Sequence, residues 1–473
     1  MVRKFIKNAS YVILANGICV FISILINFMI PVWFGESTYA YYQLENLYCG
    51  YLWIITLGWH EGIYLYYGGK RDEEIDKNEL ITQFWMFTLY LSVMSTLIII
   101  ISGYIFFDYA KRCVFIFSIC SILLEAIRYI FLYYLVCINA MKKYASYILL
   151  DRVLYIILVC IILILHKTNY KFLIGVDILS KLIHLIFIIL YNKKIFFQSL
   201  SPSKYGILYA KKLILSGINI TFSSFVSRMI IGTVRFAIEA YWGILVFGKI
   251  SLTLSISNMF TQFVQSISVV LFPVLRRIDV KKIEFTYSLL SDILDLVMFS
   301  LFMLYLPGSK ILNLILPQYS EGLRYMAILL PISLFDARNI ILNITYMKTL
   351  HKEKGIFLSS FIATICSFIF TFFSVKVMHN LDVAVISMVI LSALRDVCLE
   401  YILSKTIHVS LYKNFMSEWL LTIIFILCNW YISGIYGTLI YLLFLIIYFC
   451  KKRNSIQTLF CLIKYQLTNF GYF

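Results

Sequence analysis

The run CVFIFSICSILLEAIRYIFLYYLVCINA, from Cys113 to Ala140, is long and apolar enough to cross a bilayer as one helix. Near its middle stand Glu125 and Arg128, three residues apart and therefore on one helix face. At ~1.5 Å of rise per residue, both lie roughly 15 Å from either water phase. An ion turned toward lipid at that depth costs at least ~2.5 kcal/mol. This face must look into protein or into a wet cavity, and the rest of the chain reads as its surroundings.

The composition agrees with a membrane solvent. Of 473 residues, 62% are hydrophobic and 14% charged, against about 25% charged in soluble domains. The mean hydropathy is +0.88. A net charge of +17 would suit nucleic acid, but the basic residues fall in short clusters between apolar runs, without a nucleic-acid-binding motif. That is the pattern of cytoplasmic loops facing anionic lipid. The 11 cysteines form no CxxC or Cys/His metal spacing. The basic start MVRKFIKNASY leads into a run too long for a cleavable signal, so a retained first span is expected.

Taking ~20 apolar residues per crossing, the sequence predicts an all-α polytopic membrane protein. About fourteen spans are expected, near 11–32, 44–66, 81–106, 113–138, 147–165, 172–191, 213–232, 243–271, 285–306, 323–346, 356–376, 381–403, 417–433 and 435–450. With both termini cytoplasmic, roughly 26 Lys and Arg fall inside and about 8 outside, the expected positive-inside bias. The basic link 192–212, with Ser201-Pro202-Ser203, divides twelve spans into an N-terminal six-helix lobe (1–200) and a C-terminal one (201–410). A helix pair and an interfacial tail (411–473) follow. Two lobes around a central cavity are a transporter layout. Pro31 is expected to end the first span and Pro331 to interrupt the tenth. Gly58 and Gly62 form a GxxxG that predicts close helix contact.

Charged residues inside the spans are the candidate site. His60-Glu61, Glu125, Arg128, Asp151-Arg152, the stripe Asp177/Lys181/His184, Arg228, Arg235, Glu239, Asp292, Asp295, Asp336, Arg338, Arg395, Asp396 and Glu400 all fall in or beside apolar runs. Several have a plain structural reading. Asp177–Lys181 and Arg235–Glu239 fit i,i+4 ion pairs, and Asp151-Arg152 and Asp396/Glu400 fit solvated span ends. Arg128 and Arg228 resist that reading, because an intramembrane Arg is a functional-site hypothesis by default and a guanidinium grips phosphate bidentately. With Lys181, Arg235 and Arg338 they form the candidate set for an anionic cargo. Glu61, Glu125 and Asp177 are the candidate coupling acids. Walker A, GxSxG and HExxH patterns are missing from the sequence, and the expected outside loops are short. A transporter is therefore expected rather than an enzyme, driven by an ion gradient rather than ATP. No cofactor is implied.

Three stretches resemble bacterial polysaccharide repeat-unit flippases of the Wzx type, within the multidrug/oligosaccharidyl-lipid/polysaccharide exporter superfamily. They are YYQLENLYCGYLWIITLGWHEGIYLYYGGK (Tyr41–Lys70), FGKISLTLSISNMF (Phe247–Phe260) and VVLFPVLRR (Val269–Arg277). In that family the acid often stands one residue nearer the Leu-Gly-Trp segment; here His60 intervenes before Glu61. The resemblance implies an undecaprenyl-diphosphate-linked oligosaccharide (O-antigen or capsule repeat unit) moved from the cytoplasmic to the periplasmic leaflet of the bacterial inner membrane. Membrane lipids and, as possible partners, the polysaccharide polymerase and chain-length machinery follow from it. The alternative is a multidrug or small-molecule cation antiporter of the same superfamily.

Overall fold

The computed structural model describes residues 2–68, 72–105, 108–193, 206–275, 280–350, 352–407, 412–432, 434–453 and 457. The expected interfacial tail and the Ser201-Pro202-Ser203 segment lie outside them. Among the described residues the chain is helical and has no strand. Ten helices are long and apolar enough to cross a membrane, and Ser417–Ile432 is a shorter apolar one. The chain forms two compact units, Met1–Met229 and Ile230–Phe473.

Unit 1 contains α1 (Val2–Phe34), α2 (Glu36–Leu52), α3 (Trp59–Tyr67), α4 (Lys77–Ile105), α5 (Tyr109–Cys137), α6 (Met141–Ile164), α7 (Tyr170–Tyr191) and the first part of α8 (Gly206–Leu275). The helix α5 is the hub, packed by α2, α3, α4, α6 and α7. Its start is set by Asp108, whose carboxylate accepts from the Ala110 amide at 2.8 Å. Asn169 caps α7 in the same way, accepting from Lys171 N at 3.0 Å. Each carboxamide or carboxylate satisfies a donor that the first helical turn leaves over.

Two expectations about breaks change here. Pro31 lies inside α1, which continues to Phe34. The second span is broken instead. Leu57 and Gly58 take φ 51° and 72°, so α2 passes through a 3-10 turn (Trp53–Thr56) and restarts as α3. The GxxxG of this segment makes the close contact expected of it. A Cβ on Gly58 would lie 2.4 Å from Gly217 C, and one on Gly62 2.1 Å from Leu213 O. In lipid, helices associate through such van der Waals fit rather than through the hydrophobic effect.

Unit 2 holds the rest of α8, then α9 (Val280–Leu301), α10 (Tyr305–Ile315), α11 (Ser320–Arg324), α12 (Met326–Leu329), α13 (Ile332–Arg338), α14 (Ile344–Thr349), α15 (Glu353–Phe372), α16 (Leu381–Ile407), α17 (Tyr412–Leu427) and α18 (Gly434–Lys451). The loop expected at 233–242 is helical, and α8 is interrupted only at Gly243, with φ 85° and ψ 173°. Pro331 does stand at a break, between α12 and α13, and a π-helical turn (Asn339–Asn343) follows Arg338. The segment Met326–Thr349 is the most enclosed span, with 83% of its apolar window buried. Its Leu342 and Tyr346 join Phe299, Phe302, Phe425 and Tyr441 in the apolar core of this unit.

Candidate functional site

Helices α2, α3, α5, α6, α7 and α8 of unit 1 enclose a hollow of about 430 Å³. Six of the eight expected site residues line it: Glu61, Glu125, Arg128, Asp177, Lys181 and Arg228. The α7 stripe and the mid-span face of α5 meet directly. Lys181 Nζ lies 2.7 Å from Asp177 Oδ2 and 3.0 Å from Glu125 Oε2, and donates to Ser121 Oγ at 2.6 Å. Arg128, 4% exposed, donates to Asp151 and lies 2.9 Å from His184 Nδ1. Asp151 is therefore no solvated span end, because it closes a buried pair between α5 and α6.

Glu45 and the Asp151-Arg152 pair were not expected at the site. Glu45 is 2% exposed and accepts from the Cys49 thiol at 3.2 Å. His60 Nε2 stands 2.8 Å from Glu61 Oε2, although both atoms lack hydrogen-bond geometry. The lining therefore brings five carboxylates (Glu45, Glu61, Glu125, Asp151, Asp177) against four cations (Arg128, Arg152, Lys181, Arg228). The wall is therefore mixed in sign rather than mainly cationic, since mid-membrane ions persist by pairing.

What differs is accessibility. Arg152 and Arg228 are exposed, and among the described residues no carboxylate comes within ion-pair distance of either. Arg228 Nη1 donates to the Gly50 carbonyl at 2.8 Å, which steers the side chain while leaving its charge uncompensated. Tyr42, Trp53, Tyr129, Tyr133 and Tyr155 supply aromatic wall, with Trp53 and Tyr129 edge-on at 5.3 Å.

Arg235 and Arg338 are placed elsewhere, in unit 2. Arg235 donates to Ser251 Oγ at 3.0 Å and stands over the Phe247 ring at 5.2 Å. Arg338 is boxed in by acids. Its Nη1 lies 3.3 Å from Asp295 Oδ1, its Nε 3.3 Å from Asp396 Oδ2, and it also pairs with Glu400 and Glu418. Arg338 is 5% exposed, Asp396 and Glu400 4% each. The assignment of Arg338 to cargo is therefore corrected, because four carboxylates already enclose it. The reading of Asp396 and Glu400 as solvated is corrected with it. Asp292, for its part, pairs with Lys452 at 2.5 Å.

The all-helical fold is similar to that of MATE and MurJ proteins. The lipid II flippase MurJ, in an inward closed conformation, is similar at TM-score 0.61 and 14% identity, over 95% of this chain and 100% of that one. An inward-facing multidrug resistance MATE family transporter of the MOP superfamily is similar at TM-score 0.63 and 12% identity, over 82% and 95%. A MOP superfamily transporter from Pyrococcus furiosus, described as having a binding pocket of reverse polarity, reaches 0.56 and 14%, over 85% and 96%. No protein-family model and no curated protein matches the sequence.

Proposed function

We propose that this protein is a membrane transporter of the bacterial inner membrane, and specifically a flippase. Its cargo on this reading is an undecaprenyl-diphosphate-linked oligosaccharide, moved to the periplasmic leaflet by ion-gradient-coupled alternating access. The observation that carries the reading is the pair of exposed guanidinium groups, Arg152 and Arg228, which have no carboxylate within ion-pair distance among the described residues, on a hollow walled largely by tyrosines. Guanidinium forks suit phosphate oxygens, and aromatic rings present apolar faces with polar tips to a sugar. Glu61, Glu125 and Asp177 are the proposed coupling acids.

The cation antiporter has one observation in its favour, the five carboxylates on the lining. Four of them are already engaged: Asp151 by Arg128, Glu125 and Asp177 by Lys181, and Glu45 by the Cys49 thiol. The fifth, Glu61, stands beside His60, and the exposed charged side chains on the lining are Arg152 and Arg228, which disfavours a cationic cargo.

The test is leaflet translocation in proteoliposomes, read with a fluorescent undecaprenyl-diphosphate oligosaccharide and an external quencher. The double variant Arg152→Ala/Arg228→Ala should slow translocation at least ~10-fold, the size of losing a charge-assisted hydrogen bond. Lysine at both sites should recover only part of the rate. Unchanged translocation, or transport of a lipophilic cation in its place, would overturn the reading.

A further inference from the structure

The charges described around Arg338 do not balance. Arg338 meets Asp295, Asp396, Glu400 and Glu418, and all five side chains are buried. Widening the circle does not restore neutrality. Asp292 brings its own Lys452, while Arg395 lies in the field of Asp336 as well as Asp396, so among the described residues six carboxylates stand against three cations. An uncompensated ion in such a place costs several kcal/mol, and carboxylates in mutual contact do not all ionise.

The geometry shows where the excess is greatest. One nitrogen, Arg338 Nη1, is approached both by Asp295, at 3.3 and 3.4 Å, and by Glu418. Two carboxylates thus compete for one donor, whereas Glu400 has Nη2 to itself and Asp396 accepts from Asn343 Nδ2 at 2.8 Å. The other oxygen of Glu418, Oε1, is buried and meets no hydrogen-bond donor among the described residues. An independent group points to the same spot. The Tyr448 hydroxyl, on a side chain 4% exposed, has no hydrogen-bond partner among the described residues and lies in the field of Asp295 and Glu418, with Asp292 beyond them.

We propose that unit 2 contains a proton-binding site between Asp295 and Glu418, organised by Arg338 and bordered by the Tyr448 hydroxyl. A proton from water converts one carboxylate to the acid, which gives the pair a shared O–H donor and leaves the other carboxylate to the guanidinium. The site rests on the charge geometry of unit 2 and not on the cargo proposed above.

Infrared spectroscopy of the purified full-length protein tests it, because a protonated carboxyl has a carbonyl stretch distinct from that of a carboxylate. At neutral pH a protonated-acid band that shifts in heavy water is expected. Its intensity should fall by one carboxyl in Asp295→Asn and in Glu418→Gln, and stay unchanged when potassium is exchanged for sodium. Tyr448→Phe, a smaller change, should shift the band while the protein stays folded. A wild-type spectrum without the band overturns the proposal, as does a band indifferent to all three substitutions. Loss of the band on adding sodium at constant pH overturns it too, by making the site one for a metal cation.

Discussion

Both units bury an arginine on an enclosed helix, and they treat it in opposite ways. In unit 1, Arg128 has one carboxylate partner, Asp151, and a histidine, and open space lies beside the pair. In unit 2, Arg338 is closed in by four carboxylates. A mid-membrane guanidinium can thus be neutralised near parity, which leaves room for further cations on the wall, or submerged in excess negative charge. The first arrangement suits an anionic guest. The second suits holding a helix bundle together around protons.

The comparison is sharpened most by deleting each arginine. Arg338→Ala strands buried carboxylates and should cost about 3–5 kcal/mol, read by thermal unfolding in detergent. A loss below about 1 kcal/mol, the worth of an exposed pair, would break the contrast. Gly217→Ala comes next. Its Cβ would fall 1.9 Å from Gly58 O, and a forced overlap should destabilise by about 1–3 kcal/mol. Lys181→Met removes the cation shared by Asp177 and Glu125, whose side chains are 18% and 24% exposed. A loss near 1–2 kcal/mol is expected, below that at Arg338, because water reaches these acids. Smallest is Gly50→Ala. The nearest atom to its Cβ is Arg228 Nη1 at 3.8 Å, an ordinary contact, so stability should stay within about 0.5 kcal/mol, checked in the same melts.

Much of the fold was legible because apolar run length is a strong signal and the bilayer sets it. The site was half legible. Arg128 and Lys181 stood out because each interrupts a long apolar run. Glu45 did not, since it stands at the polar edge of the expected span 44–66, and only the structure shows α2 beginning at Glu36 and placing Glu45 in its interior. Glu418 escaped for a similar reason, lying near the edge of a short run. Asp396 and Glu400 misled because depth along a helix says nothing about which neighbour faces it. Arg338 was assigned to cargo on charge alone, and its partners come from three other helices that no local spacing could bring together.

The interruption at Gly243 has a practical side. One residue, with φ 85° and no atom within 4 Å of where a Cβ would stand, separates two helical segments where the apolar pattern predicts a loop over 233–242. An epitope tag or protease site placed there would have no slack to occupy and would have to unwind a helix to be read. Accessibility mapping of this chain should therefore choose other connections.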